Sequence, residues 1–131
     1  MQREIKFRAW DNVRKIMFYP DELWFKSNLS WNCINRVNGF AVCETDNLNG
    51  FTMQYTGLTD KNGKEIYEGD VCSTYNIDEP SNLIDTVVFD NGSFVFKNNY
   101  KLSVELRGFK SDYIEIIGNI YENKELLNHK N

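Results

Sequence analysis

The chain has 131 residues, a formal net charge of −4, and hydrophobic and aromatic fractions of 41% and 15%. That length suits one domain or two small ones with a core large enough to need no disulfide or metal staple, and the composition excludes a disordered chain. No apolar run reaches the ~18 residues of a membrane span, and the opening MQREIKFRAW lacks the apolar stretch of a signal peptide, so a cytoplasmic protein without membrane contact is expected.

In chain order, IKFRAW alternates Ile5, Phe7 and Ala9 with Lys6, Arg8 and Trp10, which predicts a strand with the first set inward. A turn over Asp11–Arg14 returns the chain through KIMFYP, and Pro20 closes that strand or places it at an edge. Residues 26–50 are rich in Asn and weak in periodicity, but WNCINRVNGFAVCET within them reads as a hairpin with strands near 31–37 and 40–45. A strand from Phe51 to Thr56 is expected to return through Glu65-Ile66-Tyr67, with Asn62-Gly63 as the turn. TVVFDNGSFVFK is the clearest hairpin, residues 86–90 and 93–97 around Asn91-Gly92. YIEIIGNIY predicts a long strand bent at Gly118, and ENKELLNHK a short helix with Asn123 as its N-cap.

Asn-Gly occurs four times, at 38–39, 49–50, 62–63 and 91–92. Both residues tolerate positive φ, as a two-residue hairpin turn requires. Together the turns point to a mainly β protein of antiparallel hairpins.

The three cysteines, Cys33, Cys43 and Cys72, have neither zinc-ribbon nor redox spacing and read as packed thiols. The only histidine, His129, is the third residue from the end of the sequence, which leaves no His-based triad or multi-His metal site. Asp60-Lys61-Asn62-Gly63-Lys64 opens like a calcium loop, but the fifth, sixth and twelfth positions hold Lys64, Glu65 and Val71 and fail the pattern. Glu65, Glu68 and Asp70 read as solvated turn carboxylates rather than an acid–base pair, with Asp70 able to bond backbone amides. NGSFVFK is only superficially similar to an aromatic RNA-binding strand, because Asp90 stands where a basic residue belongs. No phosphate loop, dinucleotide fingerprint or nucleophile elbow is present, so no cofactor, metal or catalytic residue is assigned and an enzyme is not expected.

Charge is uneven. Residues 1–15 carry five basic and two acidic side chains, whereas residues 60–90 carry two basic and eight acidic ones. An outward stripe of Lys6, Arg8 and Trp10, with Arg3 just before it as part of the same candidate interaction surface, would suit either a subunit contact or single-stranded nucleic acid. Net acidity favours the protein contact.

Three segments, REIKFRAWDNVRKIMFYPDEL, MQYTGLTDKNGKEIYEGDVC and VVFDNGSFVFK followed by IEIIGNIYENKELL, together resemble the YopX family of phage and prophage proteins. Residues 26–50 lie largely outside the likeness, and Lys124 stands where the family often has Pro. The resemblance implies a C-terminal SH3-like barrel, a phage origin and a bacterial host cytoplasm, and carries no catalytic or ligand residue. The expected organisation is an N-terminal β-rich segment, residues 1–55, and a barrel domain, residues 56–131. Its strands are expected near 65–67, 71–77, 85–90, 93–97, 101–106 and 113–121. The expected function is that of a non-enzymatic accessory protein acting through protein contacts, self-associating or binding a phage or host protein. The alternative is a nucleic-acid-binding module built on the basic, aromatic N-terminal strand.

Overall fold

The computed structural model describes residues 4–25, 31–46, 50–76, 79–97 and 104–128. Arg3, Asn49, Ile77, residues 101–103 and His129 lie outside that set. The fold is mainly antiparallel β, in two compact units, Ile5–Gln54 and Tyr55–Asn131 with Met1–Glu4.

The first unit contains β1 (Phe7–Asp11), β2 (Ile16–Phe18), β3 (Glu22–Phe25), β4 (Trp31–Val37), β5 (Phe40–Asp46) and the first half of β6 (Gly50–Thr59). β1 pairs on both sides, with Ala9 opposite Phe18 of β2 and Thr52 of β6. β3, β4 and β5 form a separate three-stranded sheet in that order. Ala9, Phe18 and Cys33 form the buried core, with Leu23, Trp31 and Cys43 packed against it. Trp31 Nε1 donates to Thr52 Oγ1 at 2.8 Å, and that hydroxyl also lies 3.4 Å from Cys33 Sγ. Burial pushes the Cys33 thiol pKa up, and the Thr52 hydrogen bond partly opposes the shift. Gly50 is required by close approach: a Cβ there would lie 2.5 Å from the Trp10 carbonyl oxygen and from Thr45 Oγ1.

The second unit takes the rest of β6, β7 (Glu65–Tyr67), β8 (Asp70–Asn76), β9 (Glu79–Asp90), β10 (Ser93–Lys97), β11 (Val104–Glu105) and β12 (Ile114–Asn119). Five strands form one antiparallel sheet in the order β11-β10-β9-β8-β12, curled into a half-barrel. Ile66, Cys72, Val87, Phe96, Leu106 and Ile114 line its core, with Leu58, Phe94, Phe109 and Ile116 against them. Full burial of each large aliphatic side chain contributes about 1.5–3 kcal/mol.

Several expected boundaries move, for local reasons. β9 starts at Glu79, earlier than the expected 85, because β8 continues to pair with it back to Asn76 opposite Glu79. After two residues of β11 the chain enters a 3-10 turn, Leu106–Gly108, which buries Leu106. β12 stops at Asn119 rather than 121, because Asn119 Oδ1 accepts the amides of Tyr121 and Glu122 at 3.0 and 2.9 Å and turns the chain. The terminal helix is a 3-10 run, Lys124–Asn128. Asn123 Oδ1 accepts the Asn119 amide behind it, while its carbonyl takes the Leu126 amide ahead.

The Asn-Gly pairs divide by geometry. Asn38-Gly39 and Asn91-Gly92 have positive φ at both residues (52° and 83°, 49° and 84°), which defines two-residue type I′ turns. At 62–63 only Gly63 has positive φ, 78°, and β6 and β7 are joined by a longer turn built on Asp60.

Candidate interaction surface

Among the described residues, no member of the expected N-terminal stripe is fully exposed. Lys6 is half-buried, whereas Arg8 and Trp10 are each 5% exposed and Ile5, expected inward, is 60% exposed. Alternation assumes one face in water, but in β1 four successive residues, Arg8 to Asp11, are buried, so both faces are covered. The indole and one cation of the expected stripe are therefore largely out of solvent.

The acidic stretch after β6 holds carboxylates of two kinds. Asp60 and Asp70 are buried, Asp70 against the expectation of a solvated carboxylate, while Glu65 and Glu68 are half-buried. Asp60 Oδ1 accepts the amides of Asn62 and Lys64, both at 2.9 Å, and Oδ2 accepts the Ile116 amide at 3.0 Å. Burial alone would push the Asp60 pKa up, but these three amides and the Lys64 charge outweigh it and hold the carboxyl below its usual range. Asp70 Oδ2 accepts the Tyr67 amide at 2.8 Å and closes the turn between β7 and β8, the amide-bonding role expected for it. In β9, Asp85, also buried, accepts the Thr74 hydroxyl at 2.9 Å. These carboxylates hold backbone and neighbouring strands. Among the described residues, no three His, Cys, Asp or Glu side chains are grouped to hold a metal ion.

Among the hollows of the described surface, two differ in character. In the first unit, Asp11, Asn32, Glu44, Thr45 and Asp46 surround a polar one of about 280 Å³. Asp11 there accepts the amides of Val13 and Arg14 at 2.9 and 3.0 Å. In the second unit, Leu58, Phe89, Phe94 and Leu106 line an apolar one of about 300 Å³. Its two phenyl rings meet edge to face at 5.2 Å, across the β9–β10 hairpin.

The most distinctive surface is the sheet of β3, β4 and β5. Register places Phe25, Trp31, Leu23, Cys33, Thr45, Asn35, Cys43, Val37 and Phe40 on one face, because cross-strand partners share a side. The middle of that face is the core already described. Its two ends are bare: Phe25 is 72% exposed, Val37 56% and Phe40 76%. The opposite face carries charge, with Arg36 Nε 2.6 Å from Glu22 Oε2 and Trp24 Nε1 donating to Glu22 Oε1 at 3.0 Å. Val42 forms a bulge beside the tip and is 48% exposed. Sequence reading placed this hairpin but not its bare tip. The available signal was the turn, since Val37 and Phe40 immediately flank Asn38-Gly39 and lie beyond the periodic part of the sheet.

Fold and surface together define a small, two-unit antiparallel β protein that presents apolar side chains on a three-stranded sheet. A family model described as YopX protein matches residues 6–128, and the chain belongs to that family. Among solved structures it is similar to protein yopX from Bacillus subtilis, with 26% identity and a TM-score of 0.70 over 93% of this chain and 97% of that one. It is also similar to protein EF1440 from Enterococcus faecalis, with 26% identity and a TM-score of 0.68 over 96% and 99% of the two chains. No curated protein matches the sequence.

Proposed function

We propose that this chain is a non-enzymatic phage or prophage accessory protein that works through protein contacts in the bacterial host cytoplasm, with further copies of itself as its first partner. The observation that carries this reading is the bare apolar tip of the β4–β5 hairpin, where Val37, Phe40 and Val42 are 56%, 76% and 48% exposed. Side chains of this kind lose about 1.5–3 kcal/mol each by staying in water, so contiguous exposure supports a contact site. The phage setting rests on the family likeness. Buried carboxylates committed to backbone amides support a structural rather than catalytic use of the acidic stretch.

Sedimentation velocity over a concentration series tests the reading. A weight-average coefficient that rises with concentration is expected. A monomer that stays unchanged at tens of micromolar overturns self-association.

A further inference from the structure

We propose that the outer edge of β5 pairs antiparallel with the same edge of a second copy, with Ala41 on the two-fold axis. This inference rests on the self-association reading and specifies the surface.

The argument begins with the turn. In a two-residue hairpin the flanking pair, here Val37 and Phe40, exchanges both main-chain hydrogen bonds, and the next pair does not. That next pair is Arg36 opposite Ala41, so the N–H and C=O of Ala41 point away from β4. β5 is the last strand of its sheet, and Phe40, Ala41 and Val42 are all exposed. Edge strands are commonly blocked by Lys, Pro, an inward charge or a bulge. Residues Phe40 to Cys43 contain no Lys, Pro or charge, and the bulge at Val42 confines the free edge to the short length around Ala41.

The edge is self-complementary. With Ala41 opposite Ala41 of the second copy, the two residues exchange reciprocal N–H···O bonds. Phe40 then faces Val42 of the second copy, and the contact occurs twice by symmetry. Glu44 falls opposite Asn38 of the second copy, so no like charges meet. Arg14 Nη1 lies 3.5 Å from the Val42 carbonyl oxygen, which this pairing does not use. The apolar area gathered from both copies is on the order of 500 Å². Stable complexes bury about 1,200–2,000 Å². The dimer is therefore in rapid exchange with monomer, with both present across a sedimentation series that reaches tens of micromolar.

Sedimentation velocity of the wild type, Phe40→Lys and Trp24→Lys, each checked for folding by circular dichroism, separates the outcomes. Wild type and Trp24→Lys are expected to associate alike, and Phe40→Lys to associate at least about tenfold more weakly. If the wild type associates and folded Phe40→Lys does so equally, the edge pairing is wrong and self-association stands. A monomeric wild type removes both. Hydrogen exchange on the wild type gives a reading independent of any variant: the Ala41 amide is expected to slow as concentration rises. An unchanged rate in a sample that associates overturns the pairing.

Discussion

Replacing Asp60 by Ala tests whether the acidic family stretch is structural. The side chain is 3% exposed and accepts three backbone amides, from Asn62, Lys64 and Ile116. Hydrogen bonds to a charged group contribute about 1.5–3 kcal/mol each, so three set an upper range of about 4.5–9 kcal/mol. Asn62 and Lys64 are exposed and their amides recover water when the carboxylate is removed, whereas Ile116 is half-buried and recovers less. The expected loss is therefore about 3 kcal/mol, concentrated in the bond to Ile116. Urea unfolding reads it as a lower midpoint at unchanged slope. Asp60→Asn retains an acceptor for the turn but can place an amide N–H against that of Ile116, so it is expected to cost about 2 kcal/mol.

The pH dependence provides a second reading of the same bonds. The folded pKa of Asp60 is depressed, so its contribution is fully present above the unfolded value of about 3.9. That contribution is lost as pH falls through the lower folded value, and the Asn variant lacks this component of acid unfolding. A loss under ~1 kcal/mol for the Ala variant, or an unchanged acid limb for the Asn variant, would refute the reasoning.

Two further substitutions probe the first unit. Gly50→Ala places a Cβ 2.5 Å from the Trp10 carbonyl oxygen, a backbone atom that cannot step aside, whereas Gly39→Ala meets nothing within 4 Å and bears only the strain of its φ of 83°. Thermal melts are expected to show a cost of about 3 kcal/mol or more for Gly50→Ala and about 1–2 for Gly39→Ala, and equal costs would contradict the close approach. Thr52→Val removes the acceptor of Trp31 Nε1 while preserving shape, so urea unfolding is expected to register about 0.5–1.5 kcal/mol from the lost hydrogen bond. A neutral Thr52→Val would mean that water replaces the hydroxyl at no cost.

Turn chemistry made much of the fold legible. Asn38-Gly39 and Asn91-Gly92 mark two hairpins because both residues adopt positive φ, and the apolar alternation on either side sets the pairing. The same dipeptide at 62–63 behaves otherwise because Asp60 captures the neighbouring amides, a preference that a two-residue pattern does not contain. β3 escaped notice because Glu22-Leu23-Trp24-Phe25 is too short for a clear period and follows Pro20. Burial of Arg8 and Trp10 was illegible for another reason. Alternation reports which side chains share a face, but not whether the second face of a doubly paired strand is also covered. The apolar hairpin tip was half legible: its residues could be placed beside a turn, but their exposure depends on where the underlying core ends.

The bonds of Asp60 also divide in time. Oδ1 serves amides two and four residues away, while Oδ2 serves one that is 56 residues further along the chain. At about 5–20 residues per second, a ribosome separates these partners by roughly 3–11 s. During synthesis the turn can therefore close on one carboxylate oxygen while the other remains in water, waiting for β12. Closure of the second unit then depends on a strand made near its end, and the turn after β6 is assembled in two instalments.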